Sequence, residues 1–262
     1  MVLDKNSVSL PMRVMLGDTF EEMSKISDSS VDLILCDLPY GLTANSKDKP
    51  LPLDKVWEQY KRIIKSSGTI LLFGQGTFYV DLVNSNRKWF RYDLVWDKVL
   101  VSGFLNAKKQ PMRSHEQIAV FQERPSTTTY NPQFTEGKSI HSRGTAHKNK
   151  KVVNNNYGNL ETLDGTNSTA KYPKSILRFS KPHPSVAKHR TEKSLELLEW
   201  LVRTYSNEGD LVLDNTCGSG GVAEVCSKLN RGFICIDNDP ECIKTTLKRL
   251  NVCVENHCSS SS

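Results

Sequence analysis

The strongest constraint on this chain is a set of short runs in which nearly every residue is apolar. Val31-Asp32-Leu33-Ile34-Leu35-Cys36 is one, and Leu211-Val212-Leu213 and Phe233-Ile234-Cys235-Ile236 are two more. A strand with one wet face alternates polar and apolar residues, so a strand that does not alternate must be covered on both faces. Seven segments read as strands: Arg13–Gly17, Val31–Cys36, Thr69–Gly74, Tyr92–Trp96, Gln117–Phe121, Asp210–Leu213 and Gly232–Ile236. Helical patterns lie between them. They cover Thr19–Lys25, Leu53–Ser66 and Ser194–Tyr205, and two more follow Gly220 and Pro240. In Ser194–Tyr205, Leu195, Leu198, Leu201, Val202 and Tyr205 fall at helical spacing, with Gly209 just past the end. Alternating strands and helices predict an α/β fold, a Rossmann-like seven-stranded, mostly parallel sheet with helices on both faces. A chain of 262 residues can bury one sizeable core of this kind.

Composition excludes several classes. No run approaches the ~18 apolar residues of a membrane span, and no apolar stretch follows a basic N-terminal region as in a signal peptide. The seven cysteines are odd in number, scattered, and form no Cys-x-x-Cys pair. They predict reduced thiols in a cytoplasmic protein, with neither a disulfide framework nor a zinc site. The net charge of +6 is unevenly spread. Residues 122–190 carry twelve Lys and Arg against four acids, whereas the rest of the chain is slightly acidic. This basic stretch is rich in Asn, Thr, Ser and His and poor in apolar runs. It reads as an insertion that faces nucleic acid, with cations for phosphates and polar side chains for base edges. Arg143, Lys148, Lys150, Lys151, Lys174 and Arg178 are its candidate DNA contacts. The expected domains are therefore 1–121 with 186–258 as the catalytic body, 122–185 as the insertion, and 259–262 as a tail.

Two strand ends carry the chemistry. Asp37-Leu38-Pro39-Tyr40-Gly41 follows the strand Val31–Cys36. A carboxylate, a Pro-fixed turn and an aromatic ring thus sit where open α/β sheets bind ligands. The same residues would also make an ordinary turn. The second end is Asp214-Asn215-Thr216-Cys217-Gly218-Ser219-Gly220-Gly221, in which an acid and a Gly-rich turn open a helix. Glycines let the backbone approach a ligand closely, and the helix start presents free N–H groups. About 20 residues on, the strand Gly232–Ile236 ends in Asp237, where a carboxylate can accept from ribose hydroxyls. The unit suits an adenosine ligand, but its spacing differs from the Gly-x-Gly-x-x-Gly of nicotinamide and flavin sites.

Together the two motifs resemble the S-adenosylmethionine-dependent amino-group methyltransferases of DNA. That family binds its target amine with an Asp/Asn/Ser-Pro-Pro-Tyr/Phe motif and its donor with an Asp-x-x-x-Gly-Ser-Gly type motif. The order here, target motif before donor motif, resembles the beta class with its circularly permuted fold. Leu16-Gly17-Asp18, Trp96-Asp97-Lys98, Arg113-Ser114-His115-Glu116 and the His189–Leu197 segment are also similar to family segments. The resemblance implies Asp37, Leu38, Pro39 and Tyr40 as catalytic residues. It implies Asp18, Asp37, Thr191, Lys193, Asp214, Cys217, Gly218, Gly220 and Asp237 as the donor-binding set. It further implies S-adenosylmethionine as cofactor, double-stranded DNA as partner, no metal, a homodimer, and a bacterial or phage restriction-modification setting. Leu38 stands where the family has its first proline, and Arg190, Ser194, Asn215 and Thr216 are further departures. The expected reaction is methyl transfer to adenine N6 in a flipped-out base. Cytosine N4, an RNA amine, a protein glutamine amide and a catalytically decayed DNA-binding protein are the alternatives.

Overall fold

The computed structural model describes residues 10–41, 48–137, 153–154, 158–159, 169–181 and 192–250. The strands are β1 Met12–Leu16, β2 Val31–Cys36, β3 Ile64–Gly74, β4 Phe90–Ser102, β5 Arg113–Phe121, β6 Thr135–Glu136, β7 Val153–Asn154, β8 Gly158–Asn159, β9 Ala170–Lys171, β10 Ile176–Arg178, β11 Leu211–Asp214 and β12 Gly232–Asp237. The α-helices are α1 Thr19–Ser24, α2 Leu53–Ile63, α3 Gly76–Ser85, α4 Leu195–Tyr205, α5 Gly221–Lys228 and α6 Pro240–Arg249.

One eight-stranded sheet organises the main unit, in the order β1-β12-β11-β2-β3-β5-β4-β10. Only β5 runs against its neighbours; the other pairings are parallel. All seven expected strands are present. The eighth, β10, was not legible because it is three residues long with one buried side chain, Leu177. It forms an edge inside the stretch read as insertion.

Alternation along the strands explains their apolar runs. Leu33, Leu35, Leu71 and Phe73 pack on one face with α4 and α5 residues such as Leu198, Leu201, Val222 and Cys226. Ile34, Cys36, Ile70 and Leu72 pack on the other face with Met23, Val56, Trp57, Tyr60, Phe78 and Leu82 from α1, α2 and α3. Each strand residue therefore has a helix above or below it, as continuous apolar patterning requires. Two boundaries differ from expectation. Helix α2 stops at Ile63 because Ile64 turns extended (φ −73°, ψ 139°) and begins β3, rather than running to Ser66. Helix α3 was not read from the sequence, because its apolar residues Phe78, Tyr79, Val80, Leu82 and Val83 do not keep to one face, and only Phe78 and Leu82 are buried.

The chain divides into two compact units, Met1–Asn131 with Ser175–Ser262, and Pro132–Lys174. The second unit is narrower than the expected 122–185. It contains two small antiparallel ladders, β6–β9 and β7–β8, and the Phe134 and Tyr172 rings, 4.8 Å apart. In the main unit, Asn131 explains why the preceding residues stay with the sheet. Its backbone N–H donates to Thr204 O at 2.7 Å, and its amide to the carbonyls of Arg203 and Ser206.

Candidate active site

Four adjacent parallel strands, β1, β12, β11 and β2, end on the same edge of the sheet. Each carries an acid at or just past its end: Asp18, Asp237, Asp214 and Asp37. The register makes this unavoidable, since Leu16 lies opposite Asp237, Asp214 opposite Cys235, and Leu213 opposite Ile34. Ligands bind at this edge of open α/β sheets.

Asp37 is held by two donors. Tyr40 Oη donates to its Oδ1 at 2.6 Å, and Lys193 Nζ lies 2.9 Å from Oδ2. A carboxylate offers about four lone-pair sites, so acceptor capacity remains for a ligand amine. Burial and the Asp37 charge push the Tyr40 phenol well above its usual range, so Tyr40 remains a neutral donor. Its ring stacks on Phe78 at 4.9 Å, which braces one face. Leu38 is 2% exposed and packs into the core beside α2 and α3. Core packing thus anchors the position where the family has a proline, and Pro39 after it stays half-buried.

Behind Asp37 runs a buried chain of alternating charges. Lys193 Nζ is 2.7 Å from Glu116 Oε2, and Lys98 Nζ is 3.2 Å from Glu116 Oε1. Burial alone would raise the Glu116 carboxyl, but Lys193 and Lys98 together hold it below its usual range. Burial would likewise lower the Lys193 ammonium, but Asp37 and Glu116 outweigh it and hold it above. The rings of Phe73, Tyr40 and Trp96 surround that ammonium at 4.8, 5.8 and 5.8 Å. Lys193, expected with the donor set, therefore stands on the target motif. Charged residues inside otherwise strand-like runs, Lys98 and Glu116, were the available signal for this chain.

The glycine turn lies across β11 from β2. Gly218 has φ +51°, and nothing in the protein lies within 4 Å of where a Cβ would be, so its outer face is open. Gly220 has φ +75°, and a Cβ there would meet Thr246 Cγ2 at 2.5 Å, so it is needed for packing against α6. Asp237 spans the turn, accepting from Gly218 N and Asp239 N, both at 2.9 Å. Asp18 caps α1 by accepting from Phe20 N at 2.8 Å. Cys217 is buried, and its N–H donates to Ile236 O at 3.0 Å. Asp214 is 6% exposed. Burial, with the charges of Asp37 and Asp237, pushes its carboxyl up to about 8. An open glycine face, a ring of acids and a helix start fit an adenosyl group that also carries a cationic centre.

Two residues read as departures join the halves of the site. Thr216 Oγ1 donates to Asp37 O at 3.1 Å. Asn215 is 1% exposed, and its Oδ1 accepts from Tyr60 Oη at 2.6 Å and from Cys36 Sγ at 2.9 Å. Its Nδ2 donates to Thr19 Oγ1 at 2.8 Å. Arg249 closes α6 over the turn, donating to Ser219 O and pairing with Glu192 and Glu224. Sequence reasoning missed Asn215 and Arg249 as connectors.

Of the remaining expected residues, Lys174 is exposed at the end of the smaller unit, whereas Arg178 lies on the sheet's edge strand β10, 3.7 Å from Asp97. Thr191, Arg143, Lys148, Lys150 and Lys151 lie outside the described residues. Among the described residues there is no metal-binding cluster, no helix long and apolar enough to cross a membrane, and five cysteines are free. A cavity of about 380 Å³ lined by Tyr79, Val83, Arg87 and Phe90 contains none of these groups, so the chemistry and not the cavity volume locates the site.

Comparison with known proteins agrees with this geometry. The chain is 26% identical over 259 residues to the type II methyltransferase M.HpaI of Haemophilus parainfluenzae, covering 92% of this chain and 75% of that one. It is 25% identical to the DNA adenine methyltransferase YhdJ of Escherichia coli, covering 90% and 81%. Among solved structures, the M1.HpyAVI–SAM complex superposes with a TM-score of 0.62 at 21% identity, covering 92% and 99%. The PvuII DNA methyltransferase (cytosine-N4-specific) superposes at 0.64 with 14% identity, covering 97% and 92%. Residues 31–248 match the DNA methylase family N6_N4_Mtase, and the chain belongs to that family of S-adenosylmethionine-dependent DNA amino-methyltransferases.

Proposed function

We propose that this methyltransferase transfers its methyl group to adenine N6 in double-stranded DNA, with the target base rotated out of the helix. The observation that carries this reading is the pairing of Asp37 with Tyr40, one hydrogen bond from the donor turn through Thr216. Asp at the first motif position and the adenine-specific name of the relative YhdJ support adenine over cytosine. Target motif before donor motif supports the permuted, beta-class order.

S-adenosylmethionine, when bound, supplies a methyl group on a sulfonium. The protein's task is to make a weak amine attack it. Asp37, oriented by Lys193 and Tyr40, accepts an amine hydrogen, and the Leu38 carbonyl accepts the second. Both bonds favour a tetrahedral nitrogen whose lone pair points at the methyl. As the N–C bond forms, the C–S bond breaks with its electrons left on sulfur, and the amine's proton passes to solvent. Gly218, Asp214 and Asp237 position the donor, with Asp18 toward the adenine and Thr191 and Cys217 completing the set. A base inside a duplex cannot reach Asp37, so extrusion is required. Residues 122–185 serve target recognition, with Arg143, Lys148, Lys150, Lys151, Lys174 and Arg178 on phosphates. The enzyme acts in a restriction-modification setting, as a homodimer.

The test is mass spectrometry of nucleosides from plasmid DNA incubated with enzyme and labelled donor. N6-methyladenine is expected, absent with Asp37→Ala, and no label should enter RNA. N4-methylcytosine as the sole product would overturn the adenine assignment.

A further inference from the structure

The charge chain behind Asp37 ends at Lys98, and beyond Lys98 the pairing of β4 with β5 is interrupted. Asp97 lies opposite His115, and Ser102 lies opposite Arg113, so β4 uses three more residues than β5 over the same span. Val99 takes up this excess with φ +63°, a left-handed conformation that β-branched residues avoid. The extended arm then closes through Gly103 (φ +88°) and a short 3-10 turn, Phe104–Asn106. Its tip is apolar and uncovered: Phe104 is 80% and Leu105 97% exposed. Residues 98–113 contain four Lys and Arg and no acid. Because β4 is parallel to β2, the arm rises from the same edge of the sheet as Asp37.

We propose that this arm is a DNA wedge, and that Phe104 and Leu105 enter the base stack where the target base leaves it. The inference rests on the base-extrusion reading above. An apolar tip on a soluble chain needs an occupant. Lys98 is buried against Glu116, but Lys108, Lys109 and Arg113 are exposed with no acid between them, which favours a polyanion over a second copy of this chain. Apolar side chains inserted between base steps are an established way for proteins to unstack a duplex. Three ion pairs connect Lys98 at the root of the arm to Asp37, so the arm rises beside the pocket that the target base would enter.

The test compares the parent with the Phe104→Ala/Leu105→Ala double variant, whose sites are too exposed to endanger folding. The substrates are a matched duplex carrying the site located by sequencing plasmid DNA methylated by the parent, and the same duplex mismatched at the target base. Unstacking is cheaper at a mismatch. The variant should lose about 10-fold or more in single-turnover rate on the matched duplex and regain most of it on the mismatched one. With 2-aminopurine at the target position, the parent should raise its fluorescence and the variant should not. Equal losses on both duplexes, or parent-like rates, would overturn the wedge. So would equal losses together with a shift from dimer to monomer in sedimentation, which would assign the tip to contact between copies. A parent that methylates without raising the 2-aminopurine signal would refute base extrusion, and the wedge with it. Equal signals from parent and variant would refute the wedge alone.

Discussion

Asp214 should make the donor-free protein less stable as pH rises, and replacing it should remove that loss. The carboxyl ends β11 at 6% exposure, and burial with the charges of Asp37 and Asp237 raises it to about 8. In the unfolded chain it titrates near the ordinary ~3.9. Between those values the folded chain holds a proton that the unfolded chain does not. Stability therefore falls as pH climbs from about 4 to about 8 and levels off above that. At ~1.4 kcal/mol per unit, the folded state is disfavoured by about 4 kcal/mol at pH 7. Asparagine keeps an acceptor for the Thr216 N–H and never ionises. Asp214→Asn should thus be more stable than the parent by up to about 4 kcal/mol at neutral pH, and weaker in donor binding. Urea unfolding of both chains, followed by tryptophan fluorescence from about pH 5 to about pH 9.5, measures the difference. The gap should widen by ~1.4 kcal/mol per unit and stop widening above about pH 8. A gap that stays constant with pH would refute the argument.

Four further substitutions have expected outcomes from the same geometry. Glu116→Gln removes the carboxylate between Lys98 and Lys193 and should cost about 3–5 kcal/mol at neutral pH in urea unfolding. That cost should shrink only once pH falls below the ordinary carboxylate range, because Lys193 and Lys98 hold the Glu116 carboxyl beneath it. Gly218→Ala should cost only about 1–2 kcal/mol of stability for its positive φ, yet weaken donor binding at least tenfold in calorimetry. Gly220→Ala should be more destabilising, because its Cβ meets Thr246. Asn215→Ala removes the acceptor of the Tyr60 hydroxyl and the amide donor to Thr19 Oγ1, and should cost about 2–4 kcal/mol, read as a lower thermal midpoint.

The sheet was legible because its strands lack alternation, and the helices between them show regular spacing. Apolar residues on more than one face of α3, from Phe78 to Val83, blurred its helical spacing, and the single buried Leu177 could not announce β10. Asp37, Tyr40 and the glycine turn were legible because they cluster in short segments next to strand ends. The Lys98–Glu116–Lys193 chain was not, because its members come from β4, β5 and the segment before α4, and only the sheet brings them together. Asn215 and Thr216 resembled departures from a motif because hydrogen bonds across 179 residues of sequence leave no local trace.

That last separation has a consequence during synthesis. Thr216 braces Asp37, and Asn215 grips Cys36 and Tyr60, so the proposed target pocket takes shape only when β11 pairs with β2. A growing chain displays Asp37-Leu38-Pro39-Tyr40 long before the strand that holds it has been made. Contacts this distant in sequence also close slowly. Catalytic competence therefore arrives as one late event, when the final third of the chain docks, and a partial product carries the motif without the pocket.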